Sequence, residues 1–414
     1  MKKKIYVRGP VLSQSGYGEQ ARFALRALRS REDLFDIYVQ PIPWGHTGWI
    51  WHESEFRTWL DSKITLTQVL MQQKNLKPDI SLQITIPNEF EKLCPVNIGY
   101  TAGIESNIVA PIWLQKGNDM DKILVVSNHA KTTYESTVVQ AVNTQTNEKI
   151  PYRLQTPIVM VAEKTERADP ETIPGLDLEF DTNYIMVSQM GPRKNFEKAV
   201  KWWVEEFIDQ EVGLVLKTSL KNNSIIDYGH AETTISEMLL KYPQRKCKVY
   251  LLHGDLTPGQ MTGLYRNAKI KAIINIAHGE GFGLPLFEAA REGLPVMTIG
   301  WSGQLDFLFH DGKEYFTSVD FTIQQIQSAA VWDGVLVKES KWAFADQGSY
   351  KMKLRDLNKN WDKAKETALE LKKIIEEKYK DEVLFSRFVD EVYGDKVVED
   401  DEIDALFASL AEEE

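Results

Sequence analysis

The feature that most constrains the fold is an alternation of short apolar runs with charged, helix-type stretches, which occurs twice along the chain. A Pro-rich stretch, 151–175, which we interpret as irregular, separates the two series. The apolar runs are Lys4–Arg8, Ile80–Ile86, Val96–Tyr100 and Ile123–Ser127 in the first series, and Tyr184–Ser188, Gly213–Thr218, Lys248–Leu252, Lys271–Ile276 and Pro295–Ile299 in the second. Because strands that alternate with helices form parallel sheets covered by helices, the pattern predicts an α/β chain with two doubly wound domains.

Composition narrows the class of protein. The 414 residues suffice for about two or three domains, and 43% hydrophobic with 26% charged residues is an ordinary globular composition. Two cysteines, Cys94 and Cys247, exclude a disulfide framework and a cysteine-based zinc site. No apolar run approaches the ~20 residues that span a bilayer, and no apolar segment follows the basic N-terminus. We therefore expect no signal peptide, no membrane insertion and a cytoplasmic location.

The negative charge is concentrated at the C-terminus. Of the net charge of −11, eight negative charges lie in 397–414, which contains no Lys or Arg, so the first 396 residues carry only −3. A nearly neutral net charge over the first 396 residues argues against strong non-specific binding of nucleic acid, which needs a basic face. In the tail, Ile403, Leu406, Phe407 and Leu410 have helical spacing. They predict either a segment that docks a protein partner or a solvating terminus.

A glycine-rich segment, 278–300, carries the clearest chemical signal. Gly279, Gly281 and Gly283 follow an apolar run and precede a predicted short helix, Leu286–Glu292. A glycine loop that leads into a helix presents free backbone N–H groups and the positive end of the helix dipole. The segment therefore predicts a site for an anion, typically phosphate.

Two carboxylates, Glu280 and Glu288, lie eight residues apart across this turn. Carboxylates repel phosphate, so we expect them to bind sugar hydroxyl groups. A nucleotide that carries a sugar on each side of a diphosphate would use both. The alternative is a generic strand–turn–helix with two surface glutamates.

The same segment, EGFGLPLFEAAREGLPV, resembles the donor-site signature of the GT-B glycosyltransferases, in particular the retaining family 4 (glycosyl transferases group 1). The stretches Leu252–Ala268 and Val187–Phe196 are also similar to family segments. The resemblance implies two Rossmann-like domains facing across a cleft. It also implies transfer of a glycosyl group from a nucleoside-diphosphate sugar with retention of configuration, and Glu280 as a catalytic residue.

In Val187–Phe196 the family has an Arg and a Lys that clamp the diphosphate. Lys194 matches the family Lys, whereas the family Arg position holds Gln189, so we take Arg193 as its substitute. Positive charge at this place suits a leaving diphosphate. If Arg193 and Lys194 supply the positive charge, no metal is needed, and we expect no cofactor apart from the donor substrate. The donor-binding residues that the resemblance implies are Gly281, Phe282, Gly283, Leu284 and Glu288, with Lys217 as a further candidate.

The first domain has a weaker signature. Gly16, Tyr17 and Gly18 resemble the family's N-terminal glycine loop, which lines the cleft near phosphate and acceptor. Many relatives have a His near the transferred sugar, and none lies in 96–105. Glu105 and His129 are the candidates for polar contacts there, although for His129 a structural hydrogen bond is the preferred interpretation.

The loop Pro41–Leu60 is unusually rich in aromatic and imidazole side chains. These are Trp44, Trp49, Trp51, Trp59, His46 and His52. Two histidines six residues apart match no regular pair of metal ligands, and core packing is the common fate of Trp. The alternative is aromatic stacking on a sugar or base of the acceptor.

We thus predict an acceptor domain at 1–175, a donor domain at 176–375, a helix at 376–396 that returns to the first domain, and the acidic tail. The charged stretch 353–393 predicts one or two surface helices. The acceptor is a glycan, lipid or small molecule. The short form also resembles phage-type enzymes, in which case the host cytoplasm is expected and a modified DNA base is the less favoured acceptor. The rival interpretations are a sugar-nucleotide epimerase or phosphorylase, and a non-catalytic nucleotide-sugar-binding protein.

Overall fold

The structure is a computed structural model that describes residues 2–142 and 147–394. In the first part of the chain, six parallel strands form a sheet in the order β2-β1-β3-β4-β5-β8. The strands of this part are β1 (Lys3–Gly9), β2 (Phe35–Pro41), β3 (Ile80–Ile84), β4 (Val96–Thr101), β5 (Lys122–Val125), β6 (Val139–Val142), β7 (Lys149–Tyr152) and β8 (Ile158–Met160). The pair β6 and β7 is a separate antiparallel hairpin.

The α-helices that the structure describes in this part are α1 (Gly16–Arg29), α2 (Glu55–Gln72), α3 (Pro111–Gly117) and α4 (Asn128–Ser136). Three of them, α1, α2 and α4, begin at serine caps, whereas α3 begins after Ala110 with a proline in its first turn. The side chains of Ser15, Ser54 and Ser127 accept hydrogen bonds from backbone N–H groups in the first turns of α1, α2 and α4. Each cap satisfies a backbone donor that has no partner within its helix.

The second part of the chain repeats the architecture, with a parallel sheet in the order β11-β10-β9-β12-β13-β16 among the described residues. Its strands are β9 (Asn183–Val187), β10 (Gly213–Lys217), β11 (Lys248–Leu252), β12 (Ile270–Asn275), β13 (Val296–Ile299), β14 (Phe309–His310), β15 (Lys313–Glu314), β16 (Thr317–Val319), β17 (Phe321–Gln325) and β18 (Lys341–Ala345). Its helices are α5 (Phe196–Glu206), α6 (Ile225–Leu239), α7 (Pro258–Tyr265), α8 (Leu284–Arg291), α9 (Leu305–Leu308), α10 (Gln347–Lys359), α11 (Trp361–Lys378) and α12 (Asp381–Tyr393).

Burial explains why the strands are continuous apolar runs. All five residues of β3 are buried, and Ile185 in β9 and Val215 in β10 are fully buried. A parallel sheet that is covered by helices on both faces has no solvent-facing side, so its strands do not alternate with polar residues. The predicted α/β class with two doubly wound sheets is confirmed.

The two sheets are joined by 161–182 and by the last helices. Helix α11 packs against α8 through Leu371 and Ile375, whereas α12 packs against α1 of the first part. In α12 the Phe388 ring lies 5.8 Å from that of Phe23 and 5.4 Å from that of Tyr100. The chain therefore crosses between the two sheets twice.

Three predictions about local structure are wrong. The stretch 151–175, read as irregular, contains β8, and β2 was not foreseen because its polar residues interrupt the apolar run. The stretch 353–393 belongs to three helices, and their apolar faces are buried against the body, since Leu354 and Phe388 are fully buried. The predicted acidic tail 397–414 lies outside the described residues.

Candidate active site

A cavity of about 470 Å³ lies between the carboxyl ends of the two sheets. Open α/β sheets bind ligands at this edge. The wall from the first sheet includes Gln14, Ser15, Gly16, Tyr17, Trp44, Ala102, Glu105 and Glu163. The wall from the second sheet includes Gln189, Arg193, Lys194, Lys217, Ser219 and the motif residues Glu280, Gly281, Phe282, Gly283, Leu284 and Pro285. The cavity thus brings together the glycine motif, the predicted clamp and the N-terminal glycine segment.

The glycine motif forms the start of α8 as expected, with one difference in its boundary. The helix begins at Leu284, and Gly283 caps it with φ +92°, a left-handed conformation that a side chain strongly disfavours. Pro285 occupies the first turn, where its missing N–H costs no hydrogen bond. The loop is held from the other side, because Glu280 N–H donates to Ser302 Oγ (2.8 Å) and Gly303 N–H donates to the Glu280 carbonyl (2.9 Å).

Glu280, which is buried, forms an ionic cluster with the partly buried Lys194 and Arg193. Lys194 Nζ lies 2.7 Å from both carboxylate oxygens of Glu280, and an Arg193 guanidinium nitrogen lies 3.2 Å from Oε2. Asn275 Nδ2 donates to Glu280 Oε1 at 2.9 Å. Burial alone would raise the pKa of Glu280, but the charges of Lys194 and Arg193 outweigh it and lower the pKa to about 2. Glu280 is therefore a carboxylate that holds two cations at the cavity wall.

The cluster extends across the cleft. Arg193 also forms an ion pair with Glu105, which follows β4 of the first sheet, at 3.1 Å. Burial disfavours the charged form of Lys194 and, with the neighbouring Arg193, lowers its pKa despite Glu280. Pro192–Lys194 is a short 3-10 turn that is followed by Asn195 at φ +51°. This turn directs both cations at the motif loop, where Arg193 donates to the Gly279 carbonyl at 2.7 Å.

Lys217 stands at the end of β10. Its Nζ donates to the Gly254 carbonyl at 2.6 Å, and burial lowers the pKa of its amine. It lines the cavity and also a second one of about 370 Å³ that adjoins it. The position fits a third cation near an anion bound at the α8 N-terminus.

Glu288 lines this second cavity, one turn inside α8. Tyr265 donates its hydroxyl hydrogen bond to Glu288 Oε2 at 2.8 Å. Burial raises the pKa of Glu288, although the charge of Arg291 opposes the shift. Because the two cavities share wall residues such as Lys217, Leu284 and Pro285, a single elongated ligand can reach both glutamates.

The N-terminal glycine segment is the first turn of α1 and not a loop that precedes it. Gly16 and Tyr17 line the cavity, whereas Gly18 does not. A Cβ atom on Gly18 would lie 1.9 Å from the carbonyl oxygen of Ser13, so this glycine allows α1 to pack closely on the preceding chain. Gly18 therefore serves packing and makes no cavity wall.

His129 lies away from the cavity. Its Nε2 is 3.0 Å from the Ser106 carbonyl oxygen, its ring packs edge-on to that of Trp301, and burial lowers its pKa. Glu105, the other candidate at this place, lines the cavity. The structure thus separates the two candidates and gives His129 only local structural contacts.

The aromatic side chains of the loop Pro41–Leu60 also divide into one that lines the cavity and others that do not. The Trp44 ring stacks on that of Tyr17 with centroids 4.4 Å apart, and both line the cavity. Trp49 and Trp51 are 59% and 64% exposed, and Trp59 packs on Phe56 within α2. His46 and His52 belong to no group of metal-binding residues, since none of three or more such side chains occurs in the part of the chain that the structure describes.

Sequence reasoning missed other residues of the cavity. Glu163 lies in the stretch that was read as irregular, where no motif marks it. Asn222 donates to the His46 carbonyl at 3.2 Å across the cleft, and Asp227 holds the Asn222 loop by accepting from three backbone N–H groups at 2.7–3.2 Å. Only the tertiary structure brings these polar residues to the cleft.

Volume alone does not identify the site. A larger cavity of about 640 Å³ lies where 164–167 and 375–381 cross between the sheets. It contains none of the predicted site residues, and several of its cations are already paired, such as Lys164 with Asp381 at 2.6 Å. The chemistry points to the smaller cavity.

No protein-family model matches this sequence. The serotype-specific mannosyltransferase WbdA of Escherichia coli is 32% identical over 118 residues, which is 28% of this chain and 13% of that protein. The chain therefore matches only a small part of that relative's length.

Solved structures cover more of the chain. HepE of Anabaena in complex with UDP-glucose has a TM-score of 0.57 at 11% identity, over 94% of this chain and 99% of that chain. Sucrose-phosphate synthase of Thermosynechococcus elongatus has a TM-score of 0.59 at 11% identity, over 99% and 100%. The fold of this chain is the GT-B fold of these glycosyltransferases. Among the described residues, no helix combines the length and apolarity that crossing a bilayer needs.

Proposed function

We propose that this chain, which has the GT-B fold, is a glycosyltransferase that moves a sugar from a nucleoside-diphosphate sugar to an acceptor hydroxyl. The observation that carries the proposal is the ionic cluster of the buried Glu280 with Lys194 and Arg193 beside the N-terminus of α8. Residues 1–175 would form the acceptor domain and 176–375 the donor domain.

The geometry suggests how the donor binds. Its diphosphate lies at the N-terminus of α8, facing Arg193, Lys194 and Lys217, and Gly281 and Gly283 allow its close approach. The ribose reaches Glu288 in the adjoining cavity, and the transferred sugar lies beside Glu280. Phe282 is almost fully buried, so its side chain anchors the loop while its backbone faces the ligand.

The proposed reaction develops negative charge on the diphosphate, and the cations of the site lie where they can stabilise it. As the bond between the anomeric carbon and the diphosphate oxygen breaks, negative charge grows on the diphosphate, and the cations and helix N-terminus stabilise it. Glu280 accepts hydrogen bonds from sugar hydroxyls and keeps Lys194 and Arg193 in place. The side chains supply the positive charge, so we propose transfer that is independent of a metal or cofactor.

We propose retention of configuration by departure and attack on the same face of the sugar. The acceptor oxygen forms the new bond to the anomeric carbon, the bond to the diphosphate oxygen breaks, and the acceptor proton passes to the departing diphosphate. No covalent enzyme intermediate is needed, and Glu280 is engaged by two cations and is therefore poorly suited as a nucleophile. Closure of one domain on the other would complete the site.

The acceptor is a glycan, a lipid or a small molecule, and a modified DNA base is the less favoured choice. The Trp44–Tyr17 pair offers an aromatic surface for such an acceptor. The predicted cytoplasmic location and the docking of a protein partner by 397–414 stay predictions.

The test is incubation with a panel of nucleoside-diphosphate sugars, including UDP-glucose and a mannosyl donor, while nucleoside diphosphate release is measured with and without acceptors. Transfer predicts release that rises with an acceptor, a labelled product whose anomeric configuration NMR reads as retained, and no loss of activity with a chelator. Lys194→Ala should reduce release about 10²–10³-fold, and Lys201→Ala, a surface lysine of α5, is the matched control.

Other outcomes identify the rival functions. A changed sugar on an intact nucleotide would indicate an epimerase, and release that requires phosphate and yields a sugar phosphate would indicate a phosphorylase. Tight binding with no turnover of any donor would indicate a binding protein. Each of these results contradicts the proposed function.

A further inference from the structure

Glu163 is a buried carboxyl at the cavity that neither the motif nor the proposed mechanism uses. It follows β8 by three residues, where the chain runs across the carboxyl edge of the first sheet. Val161 accepts from the Tyr100 hydroxyl of β4 at 3.1 Å, and Lys164 accepts from Arg26 of α1 at 3.1 Å. These contacts hold Glu163 between β4 and α1 at the cavity wall.

The carboxyl has no compensating partner. Its Oε2 is buried and has no hydrogen-bond partner, and only 3% of the residue is exposed. In the part of the chain that the structure describes, no ion pair involves Glu163. A buried polar atom in a native protein normally has a partner, so an unpartnered one at a cavity wall indicates a contact that a ligand completes.

The groups that face Glu163 come from two elements. Glu19 and Tyr17 of α1 and Tyr100 of β4 interact with it electrostatically, and of these only Glu19 carries a charge, which is negative. Burial opposes the ionisation of Glu19, but Arg22 outweighs burial and lowers its pKa. Burial, with Glu19 as a smaller contribution, raises the pKa of Glu163 well above its ordinary value. Glu163 therefore holds its proton to higher pH than an exposed glutamate.

Two of the glutamates that line the cavity have pKa values shifted in opposite directions. Glu280 on the second-sheet wall is a carboxylate bound by two cations, whereas burial raises the pKa of Glu163 on the first-sheet wall and so favours its protonated form. When the environments of two carboxyl groups shift their pKa values in opposite directions, the two groups are suited to different chemical roles. A neutral acid is a hydrogen-bond donor and does not repel a phosphate.

We propose that Glu163 is a further substrate-contacting residue, whose carboxyl donates a hydrogen bond to an oxygen of the substrate bound in the cleft. The proposal rests on the proposed function, because it places a nucleoside-diphosphate sugar or its acceptor in this cavity. The oxygen belongs either to the diphosphate or to a hydroxyl group of the transferred sugar or acceptor.

The test compares Glu163→Gln, Glu163→Ala and the control Glu135→Gln, an exposed glutamate of α4. We measure transfer from pH 6 to 10, acceptor KM and, by calorimetry, the affinity for nucleoside diphosphate. The amide of Gln still donates a hydrogen bond, so Glu163→Gln should keep transfer within about threefold and lose the high-pH decline of the wild type. Glu163→Ala should reduce transfer at least tenfold.

The pattern of effects locates the oxygen. A weaker affinity of Glu163→Ala for nucleoside diphosphate assigns the contact to the diphosphate, and an effect on transfer alone assigns it to a hydroxyl group. The proposal is overturned if Glu163→Ala behaves like wild type, or if Glu163→Gln is as impaired as Glu163→Ala. If Glu163→Ala does not fold, a high-pH decline that persists in Glu163→Gln overturns it.

Failure of the proposed function would look different. In that case no donor is turned over by wild type or any variant, and calorimetry with nucleoside diphosphate remains as the readout. Reduced affinity of Glu163→Ala for that probe would still support the contact, and unchanged affinity would then overturn it.

Discussion

The two walls of the cleft come from sheets of the same architecture but differ in their electrostatics. The second-sheet wall is ionic, with Lys194 and Arg193 held by Glu280. The first-sheet wall carries the tilted ring pair of Trp44 and Tyr17 and the carboxyl of Glu163, whose Oε2 has no hydrogen-bond partner, and its Glu105 forms an ion pair across the cleft. The same fold therefore provides one surface suited to a diphosphate and another suited to neutral, hydroxyl-bearing groups.

The difference has a structural origin. On the second-sheet wall, charges come from one compact motif and one short turn, so their geometry is fixed by local chain conformation, as Gly283 at φ +92° and Asn195 at φ +51° show. On the first-sheet wall, the polar and aromatic side chains come from separate segments. These are the start of α1, the loop after β2 and the chain that follows β4 and β8.

The largest expected effect comes from breaking the ionic wall. Lys194→Ala removes a cation from the place where negative charge grows in the transition state, and we expect kcat to fall about 10²–10³-fold. Stability should also fall, because Glu280 is left buried with Arg193 and Asn275 as its remaining partners. Kinetics and a thermal melt, with Lys201→Ala as control, measure both, and turnover within twofold of wild type would remove Lys194 from the site.

A smaller effect is expected from Glu288, which lies in the second cavity beside the ionic second-sheet wall. Glu288→Ala should lower the affinity for nucleoside diphosphate by about 1.5–3 kcal/mol, because the hydrogen bonds that the ribose hydroxyls donate to the Glu288 carboxylate are lost. Tyr265→Phe removes only the hydroxyl that contacts Glu288 and should weaken binding less. Calorimetry without acceptor measures both, and unchanged affinity of Glu288→Ala would contradict the ribose contact.

The two glutamates also make stability depend on pH in opposite directions. The pKa of Glu280 is lowered to about 2 from 4.5, so its contribution is present above pH 4.5 and is lost as pH falls toward 2. The pKa of Glu163 is raised, so stability is highest below 4.5 and declines as pH rises toward the folded-state pKa.

Thermal melts of two variants test these directions. Glu163→Gln should gain stability relative to wild type as pH rises from 5 to 8. Glu280→Gln removes the carboxylate that pairs with Lys194 and leaves Arg193 with Glu105, so its deficit should be largest at neutral pH and shrink below pH 4.5. A constant difference across the pH range for either variant would contradict the assigned state of that carboxyl.

More of the second-sheet wall than of the first-sheet wall can be predicted from the sequence. Most strands of the sheets are predictable from apolar runs, and the α8 motif is predictable from its glycine spacing. The nearness of Lys194 and Arg193 to the motif is implied only by the family resemblance, and their pairing with Glu280 is not predicted. Glu163 is not predictable, since it reaches the cleft only through a stretch without regular pattern. Likewise, the separation of Glu105 from His129 depends on the packing of His129 against Trp301, which lies in the other half of the chain.

The smallest expected effect tests the aromatic part of the first-sheet wall. Trp44 lines the cavity and stacks on Tyr17, whereas Trp51 in the same loop is 64% exposed and lies outside the cavity wall. If Trp44 contacts the acceptor, Trp44→Ala should raise the acceptor KM by roughly threefold to tenfold, which corresponds to the ~0.5–1.5 kcal/mol of an aromatic contact. The affinity for nucleoside diphosphate should stay unchanged, because that ligand binds the ionic wall. Trp51→Ala is the matched control, and an equal rise of KM in both variants would mean that the loop acts through its conformation and not through contact at the cavity.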